Sequence, residues 1–416
     1  DGTLTLGSLS NVESSINTNT TNISSNDTDI ATNVTDIATN VTNIATNTTQ
    51  STLNNATIAN ITSGAKVHED TALFNSAVGY QSLYFASTGG NNTALGYESM
   101  YSSTTGSGNV AIGSKALYSN TSGSNNIAIG KLAGGDLISA SSNIAIGAYS
   151  MENATASNNI AIGSYSMQNN TSGTYNLAIG QNALQANTSG GSNVALGLSA
   201  LALNTTGNQN IAIGAAALTS NTTGYYNVGI GQSSLYGNTT GEKNTAVGWR
   251  SLYANTVGAE NTAFGLRALY SNTTGGNNNA FGKDSLFSNT TGQFNLGIGD
   301  NSLYNNITGS FNTALGRNAG YNATGTGNVF IGYRAGLDQT SGDYKLYISS
   351  AEFTYDNDGS ISNIDNKNLI TGDFSTGDLS LGQTSGTVTI LNDADIDGTL
   401  TLGSLSNVES SINTNT

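Results

Sequence analysis

Residues 204–248 read NTTGNQNIAIGAAALTSNTTGYYNVGIGQSSLYGNTTGEKNTAVG, and the same pattern returns every 17 residues. Its centre is Asn-x-Ala-x-Gly, as in Asn126-Ile127-Ala128-Ile129-Gly130. The closing glycine falls at 79, 96, 113, 130, 147, 163, 180, 197, 214, 231, 248, 265, 282, 299, 316 and 332. Every step is 17 except those to Gly163 and Gly332, which are 16. A unit this short cannot hold a core alone. Sixteen of them must stack, each burying a face on its neighbours, which predicts a parallel solenoid of about 16 rungs.

Each position of the unit carries an expectation. In Asn-x-Ala-x-Gly the second and fourth residues share one face of an extended chain. The fourth is always apolar (Val78, Leu95, Ile112, Ile129, Phe264, Phe281), so it is expected to be the core column. The second is more varied and is expected to be partly buried. Three residues after each glycine stands Ser or Ala, as at Ser82, Ser99, Ala116, Ala133 and Ala335, which marks a tight contact. Leu or Met follows (Leu117, Met151, Leu252), a second core column interrupted by Gly134, Gly320 and Gly336. Asn-Thr-Thr-Gly then turns the chain, as at Asn204–Gly207 and Asn289–Gly292, with Asn and Gly tolerating positive φ. Two short strands and two turns fit the unit. At ~4.8 Å per rung, the stack reaches roughly 75 Å.

Two other patterns share these positions. Asn-x-Thr and Asn-x-Ser match glycosylation sequons, but a turn needed in every unit explains them better. Tyr84, Tyr101, Tyr118, Tyr236, Tyr253, Tyr270 and Tyr304 form a column read either as ladder packing or as a sugar-binding stripe.

Composition narrows the function. Charged residues make up 9%, against a usual ~25%. Net charge is −15 and no basic face is visible, which excludes ordinary nucleic-acid binding. There is no Cys, and no Pro to remove a ladder N–H. No membrane-length apolar run and no signal peptide are visible, so no membrane span is expected in this segment. Residues 1–20 recur letter for letter at 397–416. The simplest reading is one period of a tandem array; one subunit with an overlap is the other. With its start at Asp1, the chain is expected to be a fragment of a longer fibre.

Residues 9–61 carry a seven-residue pattern. Leu9, Ile16, Ile23, Ile30, Ile37, Ile44 and Ile58 occupy position a; Val12, Asn19, Asn26, Asn33, Asn40, Asn47, Asn54 and Ile61 occupy d. This predicts a left-handed coiled coil. Shifting Val34 and Val41 to a would bury Glu13, Thr20, Asp27 and Thr48. Asn at d is preferred, because neutral amides cost less to bury. Facing amides either hold an anion on the axis or fix the register.

After Gly336 the period stops and acidic residues become common. KLYIS (345–349), NLITGDF (368–374), DLSLG (378–382) and TVTIL (387–391) read as strands. Asp393, Asp395 and Asp397 copy half of a calcium loop, but Ser404 stands where its Glu is needed, so a solvated acidic face is expected and no metal. His68 has no triad or metal partner, and carboxylate pairs occur only in this acidic connector. No enzyme is expected.

The pieces IATNVTD (30–36), IATNVTN (37–43) and IATNTTQ (44–50) resemble the stalks of trimeric autotransporter adhesins. That resemblance implies a three-stranded stalk with an axial halide such as chloride at Asn19, Asn26, Asn33, Asn40 and Asn47. Val34 and Val41 depart from the usual Thr. Asn-x-Ala-x-Gly resembles the head repeats of the same family, a left-handed parallel β-roll packed as a trimer. Similar runs occur in phage tail fibres, whose strand-rich modules the connector also resembles. The expectation is a mainly β, fibrous homotrimer: end of a connector strand (1–8), coiled-coil stalk (9–61), β-roll solenoid (62–337), strand-rich connector (338–404) and start of the next stalk (405–416). Its expected role is a structural and adhesive fibre at the cell surface, partnered by itself end to end and by a surface or matrix glycan. A receptor-binding phage tail fibre is the alternative.

Overall fold

The computed structural model describes residues 6–64, 73–86, 88–349, 352–355, 361–365 and 368–381. His68, the segment TVTIL, the three alternating aspartates and the second stalk start lie outside them. The chain divides between Tyr165 and Ser166 into two units, each taken by itself below.

The first unit opens with one helix, α1 (Leu6–Gly64). Thr is a poor helix former because its hydroxyl competes for the backbone. Here the hydroxyls are absorbed within the helix: Thr20 donates to the Ile16 carbonyl, Thr35 to Ala31 and Thr42 to Ala38, each at 2.9–3.0 Å. Six rungs follow, each with one three-residue strand: β1 (Ser76–Val78), β2 (Thr93–Leu95), β3 (Val110–Ile112), β4 (Ile127–Ile129), β5 (Ile144–Ile146) and β6 (Ile160–Ile162). They pair in parallel and in register, Ala111 beside Ala128 beside Ala145.

The second unit holds ten more rungs: β7 (Leu177–Ile179), β8 (Val194–Leu196), β9 (Ile211–Ile213), β10 (Val228–Ile230), β11 (Thr245–Val247), β12 (Thr262–Phe264), β13 (Asn279–Phe281), β14 (Leu296–Ile298), β15 (Thr313–Leu315) and β16 (Val329–Ile331). Strand β17 (Lys345–Ser349) adds in parallel to β16. After β18 (Glu352–Tyr355) and β19 (Ile361–Asp365), which pair with each other, β20 (Asn368–Asp373) and β21 (Asp378–Leu381) extend the solenoid's sheet antiparallel from β17. The expected strands at 345–349, 368–374 and 378–382 are therefore present; β18 and β19 were not legible.

The protein is thus a mainly β parallel solenoid of about 16 turns with an N-terminal helix. A rung contains one strand, not two. The rest is turn, yet it also pairs: Ala216 N donates to the Leu198 carbonyl, Leu218 N to Ser234 and Thr222 N to Thr239, at 2.8–2.9 Å. A coil that uses its N–H groups in this way has no place for Pro.

The core column differs from expectation. The third residue of the motif is buried, not the fourth: Ala111, Ala128, Ala195 and Ala246 are 0% exposed. The second and fourth do share a face, but it is the outer one. Alternation in a strand fixes which residues go together and leaves open which set goes in. At the inward position of the strand the coil leaves most rungs room for a methyl group. Leu117, Met151 and Leu252 are buried beside Ala116, Ser150 and Ser251, so the second expected core column holds.

Two columns of Asn run through the interior. In the first, Asn210 N and Nδ2 both donate to Asn193 Oδ1, and Nδ2 also reaches the Gly224 carbonyl. In the second, Asn187, Asn204, Asn221 and Asn238 each donate Nδ2 to the preceding Asn Oδ1 at 2.8 Å. A buried amide costs little only when its donors and acceptor are matched, and stacking identical amides matches them. The column stops where the sequence changes. Asn120 Oδ1 and Asn306 Oδ1 lack a partner, because Leu137 and Ala323 stand one rung on.

Positive φ also lies elsewhere than expected. Asn and Gly of Asn-Thr-Thr-Gly do not adopt it. It falls on the closing glycine of the unit (Gly214 at 131°), on the Leu column (Leu218 at 52°, Leu269 at 53°), two residues before that column, and just before the first Asn column. Gly207 is required for space instead: a Cβ there would stand 2.4 Å from Asn204 Oδ1 and from the Gly224 carbonyl oxygen.

Candidate functional site

No residue cluster in the described chain has the form of a catalytic centre. The candidate sites are repeated surfaces. The first is the outer face of the strands. In the second unit, Ile179, Ile211, Ile230, Phe264, Phe281 and Ile298 lie 37–41% exposed along it. Ten rungs at ~4.8 Å, and a strip ~10 Å wide, give on the order of 500 Å² of largely apolar surface. That is at the upper end of what monomers leave open. The first unit carries its own stretch, with Val78 and Leu95 about half exposed.

The second surface lies on α1. Ile16, Ile23, Ile30, Ile37 and Ile44 are 57–65% exposed and recur every seven residues. Asn19, Asn26, Asn33, Asn40 and Asn47 stand exposed three residues after them, about 10.5 Å apart along the axis. A single helix brings no two of these amides together. Whether they form layers depends on other chains.

The third surface is aromatic. Tyr236, Tyr253, Tyr270, Phe287, Tyr304 and Tyr321 stack with centroids 5.0–5.2 Å apart and planes within 7°. Tyr84, Tyr101 and Tyr118 form a shorter stack. Each ring face lies against its neighbour in the column, which leaves edges and hydroxyls outward. The faces a sugar would stack on are occupied within the ladder. Burial and neighbouring rings raise the Tyr101 phenol above its ordinary pKa.

Charged pairs follow the same 17-residue logic. Arg267 Nε and Nη2 donate to Asp284 Oδ1 and Oδ2 at 2.7 and 2.8 Å. Asp284 is 3% exposed, and this fork is what makes its burial tolerable. The sequon asparagines serve a packing role: Asn204, Asn221 and Asn289 are fully buried, with side-chain amides committed to the column. No group of three or more potential metal ligands occurs among the described residues, and no helix among them is long and apolar enough to cross a membrane.

No protein-family model, curated protein or solved structure matches the chain.

Proposed function

We propose that the chain is one period of a homotrimeric extracellular fibre, structural and adhesive, with the solenoid wound as a left-handed β-roll and α1 as one strand of a trimeric stalk. The observation that carries this reading is the apolar face of the strands: aliphatic and aromatic side chains line the outside while Ala fills the inside. Water is a poor neighbour for such a face, and a second and third copy would cover it. The heptad stripe on α1 makes the same demand independently. In the assembled stalk, Asn19, Asn26, Asn33, Asn40 and Asn47 would turn amide donors toward the axis and hold chloride. The 396-residue recurrence of the sequence favours an array that extends reach from a cell surface.

Sedimentation equilibrium of the whole chain tests the assembly. A mass three times that of the 42.3 kDa chain is expected; a monomer at micromolar concentration overturns the reading. A receptor-binding phage tail fibre is the second reading, favoured by the antiparallel strands that continue the solenoid's sheet. Immunogold labelling separates the two: label along cell-attached filaments supports the first, and label confined to virion tails the second.

A further inference from the structure

The column holding Arg267 and Asp284 contains a second arginine, one rung earlier. The Arg250 guanidinium carbon lies 4.5 Å from the Trp249 ring centroid and 5.3 Å from that of Tyr253, whose faces are covered by Tyr236 and Tyr270. Its neighbours in the column are Ser233 on one side and Arg267 on the other, so neither supplies a carboxylate. Nε is buried and has no hydrogen-bond partner. Two guanidiniums stand on adjacent rungs against one carboxylate, and that carboxylate is taken by Arg267.

The molecule contains its own precedent for what Arg250 lacks. Arg267 satisfies Nε and one Nη with the two oxygens of a single carboxylate. A guanidinium held between two aromatic rings keeps donors for such a partner and loses little freedom in binding it. Trp249 lies just past the Gly248 corner, outside the strand triplet, and is 39% exposed. It adds an aromatic wall beside the fork, suited to the apolar C–H face of a sugar ring. The surrounding columns are neutral Gln, Ser and Leu: Gln232, Ser233 and Leu266.

We infer that Trp249, Arg250 and Tyr253 form a binding site for an acidic sugar, a glycan residue whose carboxylate takes the Arg250 fork as Asp284 takes that of Arg267. All three residues belong to one chain. Binding gives the buried Nε its missing acceptor after a small swing of the side chain.

Trp249 is the chain's one tryptophan, so its fluorescence reports this site alone. The whole chain is titrated with a glucuronate-terminated oligosaccharide, its glucose-terminated counterpart and N-acetyl-aspartate. A saturable change is expected with the glucuronate probe and not with the neutral one. Arg250→Met, which keeps the stem on the rings, is expected to weaken binding by roughly 10-fold or more. Arg250→Lys keeps the charge without the fork and is expected to lose most of the affinity as well; it also serves should the Met variant fold poorly. No saturable change with glucuronate, or an unaltered one in both variants, overturns the site. An equal response to N-acetyl-aspartate overturns its assignment to a sugar.

Discussion

At the scale of the residue, side-chain branching sorts the columns. Ile, Val and Thr, branched at Cβ, stand in the strands. The inner column with φ near 50° carries Leu and Met instead, since a branched residue there is a true outlier. Leu269→Val is therefore expected to cost about 2 kcal/mol or more, and Leu269→Met under about 1.5, read from urea denaturation. The glycines that interrupt this column have the same backbone, with Gly134, Gly320 and Gly336 at 59–61°. Each makes room for a larger neighbour. A Cβ at Gly336 would lie 2.4 Å from the Phe330 ring, and one at Gly320 2.7 Å. Phe330 takes the place of the usual Ala in its strand and fills the space of both missing leucines. Leu137 does the same beside Gly134. Phe330→Ala alone should open a cavity costing about 3–5 kcal/mol. Adding Gly336→Leu should recover much of that, whereas Gly336→Leu alone should destabilise; hydrogen exchange across β16 measures all three. These irregularities were visible in the sequence as exceptions. Their pairing was not, because contact between positions 320, 330 and 336 follows only once the coil is wound.

At the scale of the element, the repeat made the rung legible and its inside ambiguous. A period of 17 requires stacking whichever face goes inward. Strand alternation could not say whether Ile129 or Ala128 faces in; the radius of the coil decides it. The amide columns were likewise read as turn residues. Their partners lie one rung away, at a distance local turn chemistry does not consider. The strands after the solenoid depend on a different interaction. The Lys345 ammonium, with Ser375, holds the Asp373 carboxyl down to about 2. A depressed carboxylate contributes stability above its unfolded value near 3.9, and that contribution disappears as pH falls toward 2. Amide protection across the β17–β20 pairing should fall between about pH 4 and pH 2. Asp373→Asn should flatten that profile and leave β12 and β13 unchanged.

At the scale of the whole molecule, neighbouring residues should give opposite phenotypes. Ile211 stands on the outer face and Ala212 inside. Ile211→Lys should leave the circular-dichroism spectrum of the β rungs unchanged and shift sedimentation toward the single chain. Ala212→Lys should instead unfold the rung, because no space exists for the side chain. The proposed assembly rests first on α1, where the heptad stripe of Ile stands exposed. On the solenoid the apolar outer face was hidden, because the residues assigned to the interior are the ones that face out. The ladder has one further consequence, for mechanics. Each rung is bonded to the rungs before and after it, and a load drawn along the second unit would peel them singly from an end. Each release would free 17 residues, or 16 at the last rung, roughly 55 Å of extended chain. A solenoid of this kind would lengthen stepwise under tension, dissipating work at each step, with the covalent chain the last thing to bear the strain.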